Sequence, residues 1–302
     1  MHIPDGFLTN RLAVSLDIVS GASILFAARR VRTDLSGRLV PIMGVLAAFV
    51  FAAQMLNFPI LGGTSGHLIG GSLLAILLGP VVGSLTMATV IIAQALFLQD
   101  GGLIALGANI FNLSFIPCFG GYAIFKLLGG AAAKGKRLFF AGFFAGWSSL
   151  MIAATCCALQ IGISGAIPLE IGLPTMLGYH AIVGIIEGVL TAGVLSFLFR
   201  VRPDLMKIRE LSKFGLPEWV GAVIFIAIPV CILALAGSSS LPDPLEKLLA
   251  VSPIVPEAGA VSEKLLSSTR YMDYLIRAAI FIFLIGLGIL ISRWARYRNR
   301  RT

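Results

Sequence analysis

Apolar runs near the ~20 residues that a helix needs to cross a membrane's hydrocarbon core recur along the whole of this chain. They lack the ten-residue alternation of an outer-membrane barrel, so the spans are helical. The reading places nine of them at 12–28, 40–56, 66–79, 81–98, 104–128, 138–160, 174–199, 217–237 and 275–292. Composition agrees: 58% of the 302 residues are hydrophobic and 12% are charged, well short of the roughly one-quarter charged residues of a soluble domain. The expected fold class is an all-α polytopic membrane protein in contact with lipid, with about nine transmembrane helices.

A net charge of +9 in a soluble protein would suggest nucleic acid, but here the placement of the charge matters more than its size. Eighteen of the 23 basic residues fall after the first, fifth, seventh and ninth segments, among them Arg29, Arg30, Lys136, Arg137, Arg200, Arg202 and Arg293. The positive-inside rule assigns those loops and the C-terminus to the cytoplasm, and the N-terminus to the outer side. No nucleic-acid partner is expected. The opening "MHIPDGFLTN" has no basic n-region, apolar h-region or small-residue cleavage site, so it reads as a mature end. Cys118, Cys156, Cys157 and Cys231 lie within apolar segments and read as small buried hydrophobes.

The basic, proline-punctuated stretch 200–218 reads as a linker between two modules. Residues 1–208 form a seven-segment membrane domain. Residues 209–302 form a two-segment module around the outward loop Ser238–Tyr274. The third segment is short: fourteen helical residues rise about 20 Å against a core of about 30 Å. Either its helix begins below the surface or the glycine-rich "LGGTSG" before it dips inward, where non-helical backbone must be buried in protein or line a cavity. A cavity opening outward is expected.

All three histidines, His2, His67 and His180, fall at the outer ends of their segments. If the third segment is helical, His67 shares a small-residue face with Gly71, Ala75, Gly79 and Gly83. On the seventh, His180, Gly184, Glu187 and Thr191 share a face, and an ionisable residue within the membrane is a functional candidate by default. Glu187 reads first as a hydrogen-bonding support of a site and only second as a substrate contact. Gln94, Gln99, Asp100, Asn109 and Asn112 lie near the same outer level; amides in apolar helices usually bond neighbouring groups, with support of a site as the other reading.

Histidine at position two carries a specific chemistry. The terminal amine of Met1, the backbone nitrogen of His2 and the His2 imidazole can chelate one metal through a five-membered and then a six-membered ring. A fourth nitrogen closes a square, which favours Ni(II) or Cu(II) over tetrahedral Zn(II). His67 is the natural fourth donor.

At these residues the sequence resembles the CbiM/NikM substrate-binding (S) components of energy-coupling factor (ECF) transporters for cobalt and nickel. The stretches that carry the resemblance are "MHIPDGFL" at the start, "GGTSGHLIGG" at 62–71, "DGGLIALGANIFN" at 100–112 and "YHAIVGIIEGVLT" at 179–191. The resemblance implies metal ligation by Met1, His2 and His67, and Asp5, Thr64, Ser65, Gln94, Asn109, His180 and Glu187 are the candidates in this sequence for supporting contacts. It implies no cofactor, Ni(II) or Co(II) as transported substrate, and a multi-pass protein of a prokaryotic inner membrane. The second module resembles the NikN/CbiN-type partner, which would make the chain a fused NikMN-like protein. There "LPDPLEK" (241–247) departs from the P-D-G-L-E pattern, with Pro244 in place of glycine.

"GAAAKGKR" (130–137) misses the phosphate-loop pattern, because Arg137 stands where a hydroxyl residue would hold Mg²⁺ and no strand precedes it. The chain is therefore expected to be no enzyme. The resemblance implies that two ABC-type ATPase subunits and a T-component transmembrane protein are supplied separately. The expected function is capture of a divalent transition metal, nickel ahead of cobalt, for ATP-driven import. The alternative is an intramembrane metalloenzyme using His67, His180 and Glu187, although no H-E-x-x-H pair is present.

Overall fold

The structure, a computed structural model, describes residues 1–32, 39–60, 64–201 and 244–249. The expected segments 217–237 and 275–292 lie outside the described residues. Within them the chain is a polytopic all-α membrane protein. Five helical stretches are long and apolar enough to cross a membrane: Asn10–Arg29, Pro80–Leu98, Leu106–Leu127, Lys136–Ile163 and Leu169–Val201. The apolar helix Leu39–Gln54 is shorter.

The elements follow in the order α1 (Asn10–Arg32), α2 (Leu39–Gln54), β1 (Phe58–Ile60), β2 (Thr64–Gly66), α3 (Gly71–Leu78), α4 (Pro80–Ala93), α5 (Leu106–Ile110), α6 (Ile116–Leu127), α7 (Lys136–Ile163), α8 (Leu169–Val201) and α9 (Pro244–Leu249). A π-turn extends α4 over Gln94–Leu98, and a second, Phe111–Phe115, joins α5 to α6.

Packing of α7 on α8 depends on small residues. A Cβ on Gly146 would stand 3.1 Å from the Cα of Gly188, and one on Gly188 would stand 2.7 Å from the carbonyl of Phe143. Lipid supplies no hydrophobic force between helices, so close backbone approach of this kind is what holds them together. Gly184 lies against Trp147, whose indole nitrogen donates to the Ala181 carbonyl at 3.1 Å. The opposite face of α8 presents Ile182, Ile185 and Val189 outward, as a helix in lipid should.

The third segment differs from a single helix. Thr64–Gly66 is a buried strand paired antiparallel with Phe58–Ile60, in the register Pro59 to Ser65. The helix starts only at Gly71, after Gly70 in the left-handed region at φ 78°, and every residue of α3 is buried. His67 therefore lies on a loop and not on a helical face. The physical reason is the Gly70–Gly71 pair, which favours a turn over a helix interior. Nor is the small-residue series one face: the chain breaks at Gly79, and Gly83 packs against the Ala75 backbone from the next helix. A half-length helix with irregular backbone before it is tolerated at membrane depth because protein surrounds it.

Candidate metal centre

The N-terminal arm is buried inside the helical domain. Met1 is 2% exposed, His2 6% and Ile3 0%. An extended arm at this depth must have its backbone groups satisfied. Asn109 does this for residue three, accepting from the Ile3 amide at 2.7 Å and donating to the Ile3 carbonyl at 3.0 Å. The Gly102 amide donates to the same carbonyl at 2.9 Å. Asp5 turns back over the next loop and accepts from the amides of Leu103, Ile104 and Ala105 at 3.0, 2.8 and 3.1 Å. Both Gly101 and Gly102 are required here: Gly101 has φ 92°, and a Cβ on Gly102 would collide with the Asp5 carboxylate.

This arm brings the amine of Met1 to 3.2 Å from His67 Nε2. His67 Nδ1 lies 3.0 Å from the Leu68 carbonyl. A carbonyl only accepts, so Nδ1 carries the proton and Nε2 turns its lone pair toward the amine. The His2 and His67 rings stack at 5.7 Å between centroids, tilted by 20°. His2 Nδ1 meets Asp100 Oδ1 at 3.1 Å, while its Nε2 is buried with no hydrogen-bond partner among the described residues. Nδ1 is the nitrogen that a six-membered chelate ring needs, and here it faces the carboxylate. The Asp100 side chain is 48% exposed, and the His2 ring beside it, with His67 and the terminal amine, holds its carboxyl below the usual carboxylate range.

The loop that carries His67 is clamped from two sides. Glu187, buried in the middle of α8, accepts from the Ile69 amide at 2.9 Å and from the Gly70 amide at 2.8 Å. These amides lie just ahead of α3, where free N–H groups favour a negative charge. From the other side, Gln54 Nε2 donates to the Ile69 carbonyl at 2.7 Å, and Gln94 Nε2 donates to Gln54 Oε1 at 2.7 Å.

Of the residues singled out in the sequence, the structure brings Met1, His2 and His67 together, puts Asn109 and Glu187 on the backbone segments that carry them, and has Asp5 tie the arm to the amides of Leu103, Ile104 and Ala105. His180 donates from Nδ1 to the Met176 carbonyl at 2.7 Å and lines a cavity with Met1, Gly66, His67 and Pro244. Thr64 and Ser65 are buried in β2, and Thr64 Oγ1 has no hydrogen-bond partner among the described residues. Gln94 lies one residue removed from direct contact, through Gln54. Asn112 turns away into a reciprocal amide pair with Gln160 of α7, at 2.7 and 2.8 Å. Sequence reasoning noted Asp100 without choosing it, and passed over Gln54.

Among the described residues no three His, Cys, Asp or Glu side chains gather as a metal cage. A metal held at His2 and His67 would therefore need donors from the backbone and the terminus. The short helix α9 packs on α8 and β2, and Pro244 reaches the cavity wall.

Residues 2–205 match the family described as "Cobalt uptake substrate-specific transmembrane region", CbiM. Two relatives extend over nearly the whole chain. One, provisionally named a fused nickel transport protein NikMN, from Archaeoglobus fulgidus, is 36% identical over 98% of this chain and 99% of its own length. The other, a cobalt transport protein CbiM from Geobacter sulfurreducens, is 31% identical over 95% of this chain and 85% of its own length. A crystal structure described as that of a transition metal transporter superposes with a TM-score of 0.62, at 31% identity, over 71% of this chain and 100% of that one.

Proposed function

The chain belongs to the CbiM family of metal transport proteins, and from that premise we propose that it is the substrate-capture (S) subunit of an ECF-type importer. It binds a divalent transition metal from the outer side and releases it inward. One observation carries the reading: a terminal amine and an imidazole nitrogen 66 positions apart in sequence converge at 3.2 Å, with the imidazole lone pair facing the amine.

The chelate follows from these atoms. Met1 contributes its amine, His2 its amide nitrogen and Nδ1, and His67 its Nε2. Binding replaces the contact of His2 Nδ1 with Asp100. A dication that displaces the amide proton keeps one net positive charge beside the buried His2, and the ionised Asp100 next to it offsets that charge. Asp5, Thr64, Ser65, Gln94, Asn109, His180 and Glu187 support the ligands. The square of nitrogens favours Ni(II) over Co(II). Fusion of two modules does not add to that preference, since relatives named for nickel and for cobalt both extend over nearly the whole chain.

The protein has a division of labour in this reading. Residues 1–208 capture the metal, consistent with a family match over residues 2–205, and residues 209–302 are the NikN/CbiN-like module. A T-component and two ABC-type ATPase subunits supply the driving force. The membrane is the prokaryotic inner membrane. The run of α1, α6, α7 and α8 carries Arg29, Lys126, Lys136, Arg137 and Arg200 to the end opposite the histidines, which supports an outward N-terminus and a cytoplasmic C-terminus.

The metalloenzyme alternative gains nothing: each Glu187 oxygen accepts from a backbone amide of the loop that carries His67, which is a supporting role. Metal analysis of the purified protein with its native N-terminus tests the capture reading. One nickel or cobalt per chain, lost in His67→Ala, is the expected result.

A further inference from the structure

Helix α4 does not end as an α-helix. Gln94–Leu98 widens into a π-turn, Gln99 follows at φ 55°, and the amides of Gln99 and Asp100 both donate to the Gln94 carbonyl. Gln99 is the one non-glycine residue with positive φ among the described residues. A π-turn amounts to a residue inserted into an α-helix, and a left-handed glutamine persists only where its surroundings over-determine it.

The two ends of this segment reach the His2 imidazole and the loop that carries His67. At its end, Asp100 Oδ1 meets His2 Nδ1 at 3.1 Å. At its start, buried Gln94 donates to buried Gln54, which donates to the carbonyl of Ile69, two residues beyond His67. We propose that Gln94–Asp100 is a brace that fixes the His2 and His67 imidazoles relative to one another. In the metal-free protein Asp100 is the positioning residue for His2, and Gln94 acting through Gln54 positions the loop of His67. The consequence for metal binding rests on the capture reading above; the mechanical link does not.

The inserted residue is essential to the device. Removing one residue from the π-turn would rotate Asp100 by about 100° around the helix and draw it back about 1.5 Å, taking the carboxylate away from His2. Leu96 is 57% exposed on the outer surface of the segment, so its deletion takes little from the core.

The chain has three histidines, so ¹⁵N-histidine NMR resolves the question before any metal is added. Wild type, Gln54→Met, Asp100→Asn and the Leu96 deletion are compared. Gln54→Met replaces a residue whose hydrogen bonds run to Ile69, Met87 and Gln94, yet it should shift or broaden the His2 signals as well as those of His67. The Leu96 deletion should do the same, and it carries the test if Gln54→Met fails to fold.

Nickel titration of the same samples follows. Each single change should weaken binding by about 10–100-fold, because the two rings are then no longer held in place in the metal-free protein, from which the metal displaces Asp100 at His2 Nδ1. The double variant Gln54→Met with Asp100→Asn should lose no more than about the larger single loss, because both act through one segment. A His2 signal indifferent to Gln54→Met and to the Leu96 deletion, or losses that simply multiply, overturns the brace. A wild-type protein that binds neither nickel nor cobalt while His2 still answers to Gln54→Met refutes metal capture and upholds the brace.

Discussion

Asn109 holds Ile3 by both of its backbone groups, the amide at 2.7 Å and the carbonyl at 3.0 Å, across 106 positions of sequence. A side-chain amide thus does for the N-terminal arm what a neighbouring strand would do. The Ile3 carbonyl keeps a second donor in Gly102, whereas the Ile3 amide would lose its acceptor if Asn109 were truncated. Asn109→Ala should therefore cost about 1–3 kcal/mol, the penalty for one buried unsatisfied donor. It should also lower metal affinity, since Met1 and His2 hang from this arm. Denaturant unfolding in detergent and nickel titration of the same sample measure the two effects.

His2→Ala and His67→Ala should each abolish metal binding while leaving the helical domain folded, because both rings meet at the arm and take no part in the packing of α7 on α8. Glu187→Gln should weaken binding by 10–100-fold, the usual range for a group that orients a ligand. Its new amide group can accept from one of the Ile69 and Gly70 amides but presents N–H groups to the other. Affinities measured side by side decide the matter. Equal losses in all three variants would make Glu187 a direct ligand.

How much of this was legible in the sequence depended on how local the chemistry was. His2 follows a terminal amine directly, so its capacity to chelate could be read from two residues. The membrane helices were legible because apolar runs are long and lipid forbids other backbone. The β1–β2 hairpin was not, since strands of three residues inside an apolar run leave no period to read. Its effect was large, for it moved His67 from a helical face to a loop. Asp100 and Gln54 needed knowledge of three-dimensional aim: a π-turn points the first at His2, and a lone amide in apolar α2 carries no sign that it will meet Ile69. Residues 209–302, apart from α9, lie outside the described residues.

Acid should release the metal, and the sign follows from the donors. The Met1 amine and both imidazoles bind metal only when deprotonated, and the His2 amide must give up its proton, so protons compete at every position. Asp100 works the other way in mild acid. Its carboxyl is held below the usual range, so the ionised form is the folded state's preference. Its contribution is present above the ordinary carboxylate pKa and is lost only as pH falls through the depressed value. Affinity should therefore fall steadily from neutral pH toward pH 5 while Asp100 keeps its charge. Nickel titrations across that interval give the slope, and a flat profile would argue against nitrogen ligation.

The amine separates this mechanism from an ordinary histidine site. Met1 is 2% exposed and its nitrogen faces His67 Nε2 at 3.2 Å, so any residue added ahead of it alters a buried contact. One residue added before Met1 would convert the amine to an amide and put the His2 imidazole one residue farther from the new terminus, which breaks the five- and six-membered rings. The same residue would have to be accommodated in the cavity beside His180 and Pro244. An extension after Thr302 changes none of these atoms. Proteins extended by one glycine at either end, brought to equal folded amounts, should therefore differ sharply: wild-type nickel and cobalt loading with the C-terminal addition, and loss of loading with the N-terminal one. Full loading in the N-terminally extended protein would remove the amine from the ligand set and leave His2 and His67 to bind through side chains alone.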